Sequence, residues 1–171
     1  VEAPLIAKAR KPGNFVILRV SEDGERIPLT IAGADENKGT ITLIAQKVGV
    51  STEKLAKLEV GDELIDLVGP LGKETEIHNV GTVLACGGGV GVAPLLPIVE
   101  GFKKAGNRVI TVLAARSKDL IILEDEIRNY KLSGEGQSNL PVYERYTSPG
   151  GSNYTELVFK TKTTNVSIYI F

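Results

Sequence analysis

"CGGGVGVAP", residues 86–94, decides how the rest of the chain is read. It follows the apolar run Thr82-Val-Leu-Ala-Cys86 and precedes a segment in which Leu95, Ile98, Val99 and Phe102 recur at i, i+3, i+4 and i+7. That spacing makes one buried helical face, so the glycines sit in a strand-to-helix turn, with a helix predicted over 92–105. Pro94 suits the first turn, Gly106 suits the end, and Pro97 also has to fit close to the first turn. A helix N-terminus presents unpaired N–H groups and about half a positive charge, and glycines let that backbone approach an anion without a Cβ in the way. The same turn is also a plain device for close packing, and spacing alone leaves both readings open. It is not the G-x-G-x-x-G fingerprint, because Val92 or Pro94 stands where the third glycine should be, and no lysine completes a Walker-type loop.

Beyond the turn, strands are predicted at 108–113, 140–146 and 166–170 and helices at 120–130 and 153–162, an alternation that argues for a parallel sheet with helices on its faces. The strand after the helix ends in Ala114-Ala-Arg-Ser-Lys118. Where a ribose-binding acid stands in NAD sites, Arg116 and Lys118 suit a 2′-phosphate, hence NADP over NAD, although exposed basic residues need no ligand.

Before the turn the rhythm differs. Residues 14–20 and 40–48 read as strands, Glu22-Asp23-Gly24-Glu25 as a hairpin turn, residues 51–58 as a short helix capped by Ser51 or Thr52, and 63–68 as a further strand. The rhythm changes between Gly69 and Gly81, which places a domain boundary there: residues 1–76 in one domain and 80–171 in the other.

Bulk properties are those of an ordinary soluble chain of 171 residues: 42% hydrophobic, 24% charged, net charge −1. Net charge gives no support to a nucleic-acid partner, no apolar run reaches the length of a membrane span, and the start lacks a signal peptide, so the cytoplasm is expected. One cysteine and one histidine supply no metal centre. The chain starts at Val1 and has no methionine. It reads either as a fragment or as a sequence lacking modified methionines, which intact mass against 18.3 kDa separates.

Five stretches, "GERIPLTIA" (24–32), "GTITLIAQKVGVSTEKL" (39–55), "GDELIDLVGPLGK" (61–73), "LACGGGVGVAPLLPI" (84–98) and "AARSKDLIILEDEI" (114–127), together resemble the ferredoxin-NADP reductase superfamily. The similarity is greatest to prokaryotic electron-transfer subunits: the small subunit of NADH-dependent ferredoxin-NADP oxidoreductase (sulfide dehydrogenase) and the electron-transfer subunit of dihydroorotate dehydrogenase. The resemblance implies an antiparallel β-barrel that binds FAD, lacking a strand before Val1, followed by an α/β domain that binds NADP or NAD.

It also implies site residues. Pro28, Leu29 and Thr30 match the stretch that packs flavin and binds its phosphate. The family's arginine falls at Ile27, with Arg26 one place earlier. Ile44, Ala45 and Gln46 match the strand bordering flavin. Gly49, Val50, Ser51 and Thr52 match the loop that takes its pyrophosphate, although without the resemblance a simple capped helix is the preferred reading of these residues. Gly88, Gly89, Val90, Gly91, Ala93 and Pro94 match the loop facing the nicotinamide cofactor's pyrophosphate, and Arg116 its adenosine end. Cys86 is read as packing, and no side chain is assigned as acid, base or nucleophile. A 2Fe-2S cluster is implied only in a C-terminal segment beyond Phe171. The implied partners are a larger catalytic or iron-sulfur flavoprotein subunit and a ferredoxin-type carrier.

The enzyme reading is thus an FAD-dependent NAD(P)H oxidoreductase subunit. Its alternatives are a non-catalytic nucleotide-binding or scaffold module of the same shape, and a phosphate-binding α/β domain unrelated to flavin.

Overall fold

The computed structural model describes residues 1–129 and the strand at 166–170. The strand expected at 140–146 and the helix expected at 153–162 lie outside the described residues.

The first half is an antiparallel sheet of β1 (Phe15–Arg19), β2 (Ile27–Asp35), β3 (Thr40–Leu43) and β4 (Asp66–Leu71), in the order β3-β2-β1-β4. Strand alternation sorts β1 as it should: Val16 and Leu18 are fully buried while their neighbours are not. Val16 shares one core with Ile31 of β2 and Ile41 of β3, and Ile6 and Ala7 of the short helix α1 (Pro4–Ala9), with Ala3 just before it, close this core. The hairpin turn forms at Ser21–Gly24, with the Gly24 amide donating to the Ser21 carbonyl at 2.8 Å.

The expected closed barrel is, among the described residues, an open sheet with β3 and β4 as its edges. β3 stops at Leu43, five residues short of the expected strand end, and Val1–Ala3 pair along its outer edge. There the Ile41 amide donates to Val1 O at 2.9 Å and the Ala3 amide to Gly39 O at 2.8 Å. The strand expected at 63–68 starts later and runs through the cis Gly69-Pro70 bond. Proline is tolerated there because β4 is an edge strand and has no ladder to serve on its outer side.

The second half is a parallel sheet of β5 (Thr82–Gly88), β6 (Arg108–Ala114) and β7 (Val166–Ile170), in the order β6-β5-β7. β5 is central, and its consecutive Val83, Leu84 and Ala85 are all buried, as a strand covered on both faces requires. Beyond α2 (Val50–Leu55) in the first half, the helix α3 (Val92–Lys104) connects β5 to β6. It lays Leu95, Ile98, Val99 and Phe102 on Val83, Ala85 and Val109. The helix expected at 120–130 divides into a 3-10 turn, Lys118–Leu120, and α4 (Glu124–Asn129), because Leu123 adopts φ 57° between them. Helix α3 also lies against β2, so the two sheets share it.

Candidate functional site

β5 delivers the glycine turn to the carboxyl end of the central strand. β6 lies on one side of that strand and β7 on the other, the place where open parallel sheets leave a crevice. The glycines divide into two kinds. Gly87 is buried, and a Cβ there would stand 2.9 Å from Leu95 Cδ2 and 3.4 Å from Val92 Cα, so it is glycine to let α3 close on the strand. Gly88 is exposed with φ −128°, and among the described residues a Cβ would meet only Ala114, at 3.7 Å or more. Gly89 needs its φ of +53° for the 3-10 turn Gly89–Gly91, but a Cβ would meet nothing within 4 Å. Packing therefore explains one glycine and turn geometry another, while Gly88 answers to neither.

The helix behind the turn suits an anion. α3 has 13 residues, no side-chain cap and no acidic residue in its first turn, while Lys103 and Lys104 complement its C-terminal end. Gly91 occupies the cap position, Val90 is exposed, Ala93 is buried under the first turn and Pro94 is half-buried. Pro97, six residues into the helix, is buried against the core, where its missing N–H costs one backbone bond. Cys86 is half-buried just before the turn, and burial pushes its thiol up, away from a reactive thiolate. On the neighbouring strand Ala114 pairs with Gly88, and Arg116, two residues on, is exposed and enters no ion pair among the described residues. The hydrogen bond from Ser117 holds the Asp119 carboxyl below the usual range, so that hydroxyl is already engaged.

β2 brings the second group of residues. Leu29 points into the first core with Ile31, so along the alternating strand Pro28 and Thr30 share the other face. Arg26 is exposed just before the strand and donates Nη2 to Asp66 Oδ2 at 2.8 Å; Arg19 Nε reaches the same oxygen at 2.7 Å.

The third group is only partly a strand feature. Ile44, Ala45 and Gln46 lie past the end of β3, with Ala45 and Gln46 exposed. The cap of α2 is Gly49 instead of Ser51 or Thr52. Thr52 folds back: its Oγ1 accepts from the amides of Val48 at 3.0 Å and Gly49 at 3.1 Å and donates to Gly49 O at 2.9 Å. Val50 is exposed and Ser51 half-buried beside it. A cleft of about 400 Å³ between β3 and α2, lined by Ile41, Leu43, Ala45, Thr52 and Leu55 among others, joins Ala45 to Thr52. It does not include the glycine turn.

Two buried asparagines went unmarked in the sequence, Asn14 and Asn107, each 7% exposed. Each follows a glycine with positive φ, Gly13 at 91° and Gly106 at 82°, which is the signal that would have found them. Among the described residues no helix is long and apolar enough to cross a membrane, and no cluster of three or more metal-ligating side chains exists.

No family model matches the chain. The dihydroorotate dehydrogenase B (NAD(+)) electron transfer subunit homolog of Thermotoga maritima is 45% identical over 128 residues, 75% of this chain and 45% of its own length. The corresponding electron transfer subunit of Fusobacterium nucleatum is 32% identical over 136 residues, 76% of this chain and 52% of its own. A solved structure of NADH-dependent reduced ferredoxin-NADP oxidoreductase, studied for flavin-based electron bifurcation, superposes with a TM-score of 0.71 at 46% identity, over 74% of this chain and 46% of that one. The chain spans about half the length of the curated relatives it matches. The resemblance carried by the five stretches is borne out: this chain is a homologue of the dihydroorotate dehydrogenase B electron transfer subunits and of NADH-dependent reduced ferredoxin-NADP oxidoreductase, with a ferredoxin-NADP reductase-like fold.

Proposed function

We propose that this chain is the FAD- and NAD(P)H-binding part of an electron-transfer subunit that works with a larger catalytic or iron-sulfur flavoprotein subunit. The observation that carries the reading is Gly88. It is exposed at the end of the central parallel strand, before a helix with no side-chain cap, and among the described residues no contact requires it to lack a side chain. A cofactor pyrophosphate laid across Gly88–Gly91 gives that absence a purpose.

In this reading residues 80–171 hold the nicotinamide nucleotide, with its pyrophosphate on the glycine turn that leads into α3. Arg116 supplies a fork of donors to a 2′-phosphate, which favours NADP. Residues 1–76 hold the flavin. Pro28 and Thr30, on the face of β2 away from the first core, border it, and Arg26, steadied by Asp66, supplies a guanidinium to its pyrophosphate. Ile44–Gln46 and Gly49–Thr52 border the ribityl and phosphate end. There Thr52 keeps the loop in shape, leaving the Ser51 hydroxyl as the donor. The open antiparallel sheet is most of the flavin barrel, with Val1–Ala3 lying where a further strand would pair.

Flavin supplies hydride acceptance from nicotinamide and release of single electrons to an iron-sulfur or ferredoxin-type acceptor. The protein's part is placement: α3 touches both halves, so the helix that receives one nucleotide is packed on the strand that borders the other. No side chain has to move a proton.

FAD titration of the purified protein tests this. The expected result is a yellow complex that bleaches when NADPH is added without oxygen; a protein that takes up no FAD overturns the reading. Arg116→Ala should then weaken NADPH by about tenfold or more while sparing NADH, since a charge-assisted phosphate contact is worth roughly 1.5–3 kcal/mol. Equal loss for both nucleotides would remove the 2′-phosphate role.

A further inference from the structure

The polar stretch between the two halves has the composition of a linker, yet it is held at both ends and in the middle. At its start, Asn14 Nδ2 donates to Gly72 O at 3.0 Å while Asn14 Oδ1 accepts from the Lys11 amide at 2.8 Å. The Thr75 amide donates to Pro12 O at 2.9 Å, and Gly13 is so close to Thr75 that a Cβ would stand 2.5 Å from its Oγ1. In the middle, Ile77 joins the second core and crosses α3 at Gly101, where a Cβ would force the end of the Ile77 side chain to shift. At its end, Asn107 Oδ1 accepts from the Val80 amide at 2.7 Å, while its Nδ2 donates to the carbonyls of His78 at 2.8 Å and Phe102 at 3.0 Å.

Both asparagines are buried with the oxygen and the nitrogen of the side-chain amide each bonded, so releasing either end of the stretch would leave polar atoms without partners. We propose that residues 72–81 form a rigid strut that sets the spacing between the flavin half and the nicotinamide half, with Asn14, Gly101 and Asn107 as its positioning residues. The kinetic consequence rests on the function proposed above; the rigidity does not. Donor and acceptor atoms must meet within a narrow window, and about 1 Å of misplacement costs on the order of a hundredfold in rate. A glycine at the crossing leaves the Ile77 side chain room to seat directly on α3.

Two measurements on the full chain test the strut. In native-state hydrogen exchange, the Thr75 and Val80 amides should exchange within about tenfold of the slowest amides of β5. Exchange at the rate of an unstructured peptide overturns the strut whether or not flavin binds. In the FAD-loaded protein, Gly101→Val should slow flavin bleaching at saturating NADPH by about tenfold or more, with FAD content and NADP+ affinity unchanged. Pairing it with Ile77→Ala should restore the rate. If Gly101→Val does not fold, Ile77→Ala, which opens the contact instead of filling it, carries the test and should also be slow. An unchanged rate in a folded, FAD-loaded variant overturns the positioning role. A parent protein that FAD loads but NADPH does not bleach overturns the proposed function, and the exchange result then still decides the strut.

Discussion

Two helices begin at glycine-marked loops, and they are held in place by different means. α3 buries eight of its residues, from Val92 to Phe102, between the parallel sheet and its neighbours. α2 buries none. Its hold is polar: Thr52 bonds back to the loop, and Lys54 Nζ reaches Asp23 and Ser21 of the hairpin turn at 3.0 Å. The first helix start is fixed by hydrophobic packing, which uses no ion pair, while the second depends on exposed hydrogen bonds and one ion pair. A single nucleotide-binding function can therefore rest on one stiff and one yielding support.

Substitutions should reveal this contrast in graded form. Phe102→Ala removes a ring from the centre of the α3 core, where it is 1% exposed, and should lower stability by about 3–5 kcal/mol in denaturant unfolding. A loss below about 1 kcal/mol would mean that α3 is not what holds the second half. Gly87→Ala forces a methyl against Leu95 and the α3 backbone and should cost about 1–3 kcal/mol. Thr52→Ala should cost about 1 kcal/mol, comparable to a lost helix cap, and exchange measurements should find the effect confined to residues 48–55.

The smallest effect concerns acid. The hydrogen bond from Ser21, then the bond and charge of Lys54, hold the Asp23 carboxyl below its ordinary value of 3.8. A depressed carboxylate contributes stability that is complete above its unfolded value and is lost as pH falls through its folded one. Protection of α2 should thus be flat above about pH 5 and decline below about pH 4, while α3, whose half-buried Glu100 carboxyl is pushed up by burial and so favours the fold as pH falls, should lose no protection over the same range. The pair is exposed, so added salt should mimic the change in part. Equal acid sensitivity in the two helices would erase the distinction.

Legibility in the sequence followed the same divide. The β5-turn-α3-β6 unit was readable nearly to the residue, because a 3.6-residue apolar repeat between two apolar runs has few other solutions. α1 escaped notice: six residues with Pro4 at the first position are too short for periodicity to register. β4 was displaced because Gly69-Pro70 reads as punctuation, yet an edge strand admits it. The capping of α2 by Gly49 was hidden by two better capping residues next to it, one of which, Thr52, works in reverse. At the site, the sequence marked the four glycines as one motif, and only coordinates separate Gly87, which serves packing, from Gly88, which does not. The strut was illegible for a plain reason: Asn14 and Asn107 are ordinary polar residues in sequence, and their burial depends on contacts 58 and 27 residues away.

The most direct test of the central claim is the affinity of Gly88→Ala for NADP+ beside its thermal stability. The methyl has room among the described residues, at 3.7 Å or more from Ala114, so the melting temperature should be unchanged. A cofactor pyrophosphate lying on that backbone should be displaced, weakening NADP+ by about tenfold or more, equivalent to about 1.4 kcal/mol. Unaltered affinity in a folded variant would contradict the account, because the glycine without a structural purpose would then have no ligand either.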